Sequence, residues 1–213
     1  MKGALAVENV TERKKSLLPI RPGFGETRLQ LNSTMNHAPE FAPVYQFLGH
    51  LWLRELDEAT YAQWQTVLPT IPGVESTAAV SEDLETLHIE YCRLFIGPKD
   101  HLPPYQSVWQ TGQLGGPACI SMERYLKTSG YEHHNPGHDT PPDHLGLQLQ
   151  FYSWLLQQSA TDETEASEVL QEFQSAHLTW PVEFLSRVTV AAEASFYQQL
   201  ASTTLQLLSA AAD

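Results

Sequence analysis

Apolar residues recur every three or four positions over most of this chain, the spacing of helices with one buried face. Phe41, Val44, Tyr45, Leu48, Leu51, Trp52 and Leu56 trace the broad face of a first helix. Asp57 is placed to cap a second, which carries Tyr61, Trp64 and Leu68 and ends at Pro69 and Pro72. Ser81-Glu82-Asp83 opens a third, with acids where the helix dipole favours them. Leu84, Leu87, Tyr91 and Leu94 recur along it, and Gly97-Pro98 stops it.

Pro103-Pro104-Tyr105-Gln106-Ser107-Val108-Trp109 comes next. Two prolines, a tyrosine and a tryptophan in so short a run predict an exposed aromatic loop that is not helical. A glycine-rich turn at 112–116 leads into a helix through Met122, Tyr125 and Leu126, stopped by Gly130. A polar loop fills 131–140. Thr140 and Pro141 then suit the cap and first turn of a helix with Asp143 near its start. That helix is apolar on both its Leu145/Leu149/Tyr152/Leu156 stripe and its Leu147/Phe151/Trp154 flank, which predicts a central, buried element. An acidic helix over about 162–177 follows. Trp180-Pro181 breaks the chain, and two last helices carry Phe184, Leu185 and Val188, then Phe196, Tyr197, Leu200, Leu205 and Leu208. No stretch alternates with a strand's period, so the fold class is all-α, a single helical bundle over 39–213.

Residues 1–38 have no such stripe, contain Pro19, Pro22, Gly23 and Gly25, and hold half of the basic residues. They are expected to form a basic, disordered extension, with Met35 as an alternative start. Charge separates the same two regions. Residues 1–34 balance at +3 and the remainder at −16, within a net charge of −13. An acidic body is unsuited to nucleic acid, whose phosphates need clustered Lys and Arg, and suited to a basic peptide. No window reaches the roughly 18 apolar residues of a transmembrane helix. With no signal peptide, a cytoplasmic protein without membrane insertion is expected. Cys92 and Cys119 each fall where a small core residue would sit.

Neither a phosphate-binding glycine motif nor a nucleophile elbow is present. His133, His134, His138 and His144 lie close in sequence and offer one enzymatic alternative, a metal-dependent hydrolase. Adjacent histidines face different ways on a regular element and no H-E-x-x-H exists, so the residues do not specify a metal site. Asp143 and His144 read equally as helix-end residues and as a reader of a charged peptide. Leu94 and Phe95 read as core. Pro104, Tyr105, Ser107 and Trp109 belong to a segment with less reason to be buried, and an adaptor holding a folded partner through it is a second alternative.

Glu90-Tyr91-x-x-Leu94-Phe95-x-Gly97-Pro98, then Pro103-Pro104-Tyr105-x-Ser107-x-Trp109, then Pro142-Asp143-His144-Leu145-Gly146 resembles the TorD/DmsD/NarJ family of redox-enzyme maturation chaperones, its TorD/DmsD branch above all. The similarity runs from about residue 40 to the end and includes Phe196-Tyr197-x-x-Leu200. It implies a helical bundle with no catalytic residues, metal or cofactor of its own. It also implies that the chain binds the twin-arginine signal peptide and the apoprotein of a molybdenum-cofactor oxidoreductase before export. The implied partner-binding positions are Tyr91, Leu94, Phe95, Pro104, Tyr105, Ser107, Trp109, Asp143 and His144. Monomer and domain-swapped dimer are both open under it. One departure stands out: Trp180-Pro181 has the two residues in the order opposite to the family's usual Pro-Trp.

Overall fold

Two helices built from the first and the most apolar of these stripes touch backbone to backbone. They are α1 (Ala42–Leu53) and α6 (Leu145–Ser159) of the computed structural model, which describes residues 39–72, 74, 81–131, 140–160 and 165–212. Gly49 and Gly146 make the approach possible. A Cβ added at Gly49 would lie 2.6 Å from the Gly146 carbonyl oxygen, and one at Gly146 would lie 2.6 Å from that of Gly49. At the other end of the pair, Ser153 Oγ donates to the Ala42 carbonyl at 2.6 Å, so the helices run antiparallel. Nearly all of α6 is buried, as an apolar surface on both flanks requires.

The remaining helices pack around this pair. Asp57 and Asp83 cap α2 (Glu58–Val67) and α3 (Leu84–Tyr91), accepting from Thr60 N and Thr86 N at 2.7 and 2.8 Å. α4 (Gln106–Thr111) and α5 (Pro117–Ser129) end at Gly112 and Gly130, whose φ of 78° and 74° suits glycine. α7 (Glu165–His177) lies on α6, and α8 (Pro181–Ala191) pairs with α9 (Ser195–Ala212). α9 closes the bundle on α1: Tyr45 donates to the Leu207 carbonyl and Trp52 Nε1 to Thr204 Oγ1, both at 3.1 Å. Glu90 of α3 accepts two bonds from Arg93 and one from Glu193 N, while Arg93 donates to the Ala191 carbonyl. That charged pair ties the α8–α9 turn to α3.

The all-α expectation holds: among the described residues no strand forms, and one isolated bridge joins Tyr105 to His144. Three local expectations are corrected. The segment after Gly97-Pro98 is not wholly non-helical, since α4 begins at Gln106, past both prolines. α6 begins at Leu145 with His144 as its cap, so Asp143 precedes the helix and Thr140 does not cap it. Cys92 is exposed, because the helix widens into a π turn at Cys92–Ile96 and turns the thiol outward; Cys119 is buried. The break expected at Trp180-Pro181 is observed between α7 and α8: Trp180 holds the N-cap position without a side-chain cap bond, and Pro181 takes the first position, where a missing N–H costs nothing. The basic extension, 1–38, lies outside the described residues.

The glycine contact carries a prediction. Alanine normally stabilises a helix interior over glycine by up to about 1 kcal/mol. At Gly49 or Gly146 the methyl meets backbone that cannot rotate away. Gly49→Ala and Gly146→Ala are each expected to cost about 2–3 kcal/mol and lower the Tm by roughly 5–10 °C. An unchanged Tm in thermal unfolding would show that the two backbones can part without penalty.

Candidate functional site

The π turn after α3 leads straight into the aromatic segment. Gly97 N donates back to the Cys92 carbonyl, and Leu102 N donates to the Leu94 carbonyl, both at 2.6 Å. The chain then runs extended to Tyr105, at φ −122° and ψ 124°. There it pairs with the residues ahead of α6: Leu145 N donates to the Pro104 carbonyl at 2.8 Å, and Gln106 N to the Asp143 carbonyl at 3.1 Å. The two motifs therefore meet.

Asp143 explains why α4 exists. One carboxylate oxygen accepts from Ser107 N at 2.7 Å in the first turn of α4, and the other from the Cys119 thiol at 2.9 Å. The cap thus comes from across the fold, 36 residues away in sequence, and its charge sits where unpaired N–H groups converge. Trp109 Nε1 donates to the Pro103 carbonyl at 2.7 Å and folds the extended run back over α4. Burial, and the bond to Asp143, push the Cys119 thiol up to about 12, so it stays protonated as the donor.

Burial divides the nine sequence-predicted residues in two. Asp143 is fully buried, and Ser107 and His144 are 1% and 3% exposed. Tyr91, Leu94, Phe95 and Pro104 are buried as well. Tyr105 and Trp109 keep part of their surface in solvent. The buried aromatics form an edge-to-face chain: Phe95 meets Tyr91, Trp52 and Tyr197 with ring centroids 5.2–5.7 Å apart. Tyr105 stands edge-on to His144 at 4.9 Å. Trp109 rests on Phe184 at 5.7 Å, with the Arg187 guanidinium 5.2 Å from its ring centre.

A buried polar network that sequence patterns did not reveal supports the back of this surface. Gln106 donates to the Ala176 carbonyl and accepts from Gln148 Nε2 and His177 Nδ1, each at 2.7 Å. Gln148 accepts from Trp180 Nε1 at 2.9 Å, and His177 Nε2 accepts from Ser121 at 3.0 Å. Neutral His177 satisfies both neighbours, and burial, helped by Arg124 and opposed by Asp143, pulls its pKa down to about 4. His144 behaves alike. Its Nδ1 accepts from Gly146 N at 3.0 Å, and burial, against the attraction of Asp143, lowers its pKa to about 4. Its Nδ1 is thereby committed to the backbone. His133, His134 and His138 lie outside the described residues, and among the described ones no group of three potential metal ligands gathers. No helix of the described residues is long and apolar enough to cross a membrane.

The nitrate reductase delta subunit family matches residues 50–186 of this chain. The chaperone protein YcdY of Escherichia coli is 35% identical over 128 residues, covering 60% of this chain and 64% of YcdY, less than two thirds of that relative. The probable Tat proofreading chaperone DmsD of Haemophilus influenzae is 26% identical, covering 68% of this chain and 70% of its own. The E. coli chaperone protein TorD is 26% identical, covering 80% and 94%. A crystal structure described as a putative redox enzyme maturation protein from Archaeoglobus fulgidus superposes with a TM-score of 0.57 at 24% identity. It covers 80% of this chain and 93% of that one, a likeness of fold.

Two outcomes follow from the buried groups. His144 and His177 titrate near 4 when folded and near 6.5 when unfolded, so the unfolded chain binds more protons between those values. Stability is therefore expected to fall as pH drops from about 6.5 to 4, each imidazole contributing on the order of 3 kcal/mol. Urea unfolding at pH 7 and pH 4.5 should show a shallower loss for His177→Gln than for the wild type; equal losses would contradict this origin. Asp143→Ala strands the Ser107 N–H and the Cys119 thiol, and should cost about 2–3 kcal/mol in the same measurement at pH 7. An unmoved midpoint would mean the cap is dispensable.

Proposed function

Since the chain belongs to the nitrate reductase delta subunit family, the redox-enzyme maturation chaperones that include TorD and DmsD, we propose that it binds the twin-arginine leader of a molybdenum-cofactor oxidoreductase apoprotein. In this reading it works in the cytoplasm as a binding protein, holds the client before export, and has no catalytic step.

The observation that carries the reading is the edge formed by Tyr105 and Trp109. Both are partly exposed, yet each is held from behind, Tyr105 by the bridge to His144 and Trp109 by its bond to Pro103 and its packing on Phe184. Aromatic side chains already fixed before binding lose little freedom when a ligand arrives, which favours affinity. A leader's apolar segment supplies side chains to lie on them, with a few contacts carrying most of the energy. Tyr91, Leu94, Phe95, Pro104, Ser107, Asp143 and His144 act from within, keeping that edge in place. The acidic body adds long-range attraction for the leader's basic region, which salt weakens.

Tyr105→Ala and Trp109→Ala should each weaken binding of a cognate leader peptide by about ten- to a hundredfold with the chain still folded by circular dichroism, Trp109→Ala also lowering the Tm because its ring packs on Phe184. Isothermal titration with leaders of molybdoenzymes from the same genome measures this. Full affinity in the double variant would rule out the aromatic edge as the contact.

A further inference from the structure

A guanidinium needs a carboxylate it can reach, and the two acids within the motifs are occupied. Asp143 is fully buried with both oxygens accepting hydrogen bonds. Glu90 is 6% exposed and is bound by Arg93 and Glu193 N. Glu55 differs from both. It is exposed, it lies in the turn between α1 and α2, and it takes part in none of the ion pairs of the described residues.

That turn is held from two sides. His88 Nε2 donates to the carbonyl of the buried neighbour Leu56 at 2.5 Å, which fixes the turn against α3. Four residues on, at the start of the π turn, the Cys92 thiol donates to Glu55 Oε1 at 3.5 Å. Just before the turn, Leu53 packs against Gly146, so the turn lies beside the start of α6, where Tyr105 is bridged to His144. The Tyr91 hydroxyl is raised to about 12 by burial first, then by Tyr105 and the Glu55 carboxylate.

We propose that Glu55 is the carboxylate that receives an arginine of the client's leader, and that Asp143 is a positioning residue. This rests on the leader-binding reading given above. Among the described residues the only hydrogen-bond partner of the Glu55 carboxylate is the Cys92 thiol, a weak donor that a guanidinium displaces readily. A carboxylate pairs with arginine through two parallel bonds, and nearby aromatic rings add attraction for the cation.

The test is fluorescence anisotropy with fluorescein-labelled twin-arginine leader peptides of molybdoenzymes from the same genome, each made also with both arginines replaced by glutamine. Glu55→Gln should weaken the arginine peptide about three- to tenfold at low salt and leave the glutamine peptide unaffected. Asp143→Asn should lower the Tm without removing the preference for arginine. If Tyr105→Ala weakens the arginine peptide and Glu55→Gln does not, the role of Glu55 is overturned while leader binding stands. If the wild type binds none of the leaders, leader binding fails and the role of Glu55 with it.

Discussion

The backbone contact between Gly49 and Gly146 sets the positions of everything that follows. Two helices whose backbones meet glycine to glycine have little freedom in register, because each glycine's carbonyl oxygen lies 2.6 Å from where the other's Cβ would be. That crossing places the start of α6 beside the end of α1. His144 caps α6 there, the bridge to Tyr105 is built there, and the turn bearing Glu55 emerges there. A shift along either helix would move all three together, which is why a glycine far from solvent belongs to the same motif as surface-forming residues.

A second constraint is the buried charge of Asp143. A carboxylate withdrawn from water is tolerated when its oxygens are filled with donors, and here they are filled by a backbone N–H and a thiol from two different helices. The residue thus fastens α4 and α5 to the segment before α6. Histidine completes the arrangement by staying neutral: a proton on His144 or His177 would add charge where burial has no means to accommodate it. Motif residues that look suited to recognising charge are thus buried and committed to hydrogen bonds within the fold.

The aromatic chain through Trp52, Phe95, Phe184 and Tyr197 links that edge to the whole bundle. α1, the π turn, α8 and α9 each contribute one ring, so the surface is backed by the core rather than by a loop. The π turn has a specific consequence: its extra residue turns Cys92 and Arg93 outward while Leu94 and Phe95 stay inside. Arg93 can then reach the α8–α9 turn, and Cys92 can meet Glu55.

How much of this was legible in the chain itself depends on the range of each interaction. Apolar spacing, the Asp57 and Asp83 caps and the Gly130 stop are local, so most helix limits and the all-α class follow from sequence alone, whereas α4, capped by a distant carboxylate, does not. The motif residues of the candidate site were also legible, as was their division into aromatic and polar sets. Their depth was not. Whether Asp143 faces solvent or caps α4, whether Gly146 meets a methyl or a second glycine, and whether Glu55 stands near Tyr91 depend on which helix faces come together. Those contacts join residues that are dozens of positions apart. Only the tertiary packing decided them, because a donor, a carbonyl or a carboxylate acquires its role from the neighbours that folding supplies.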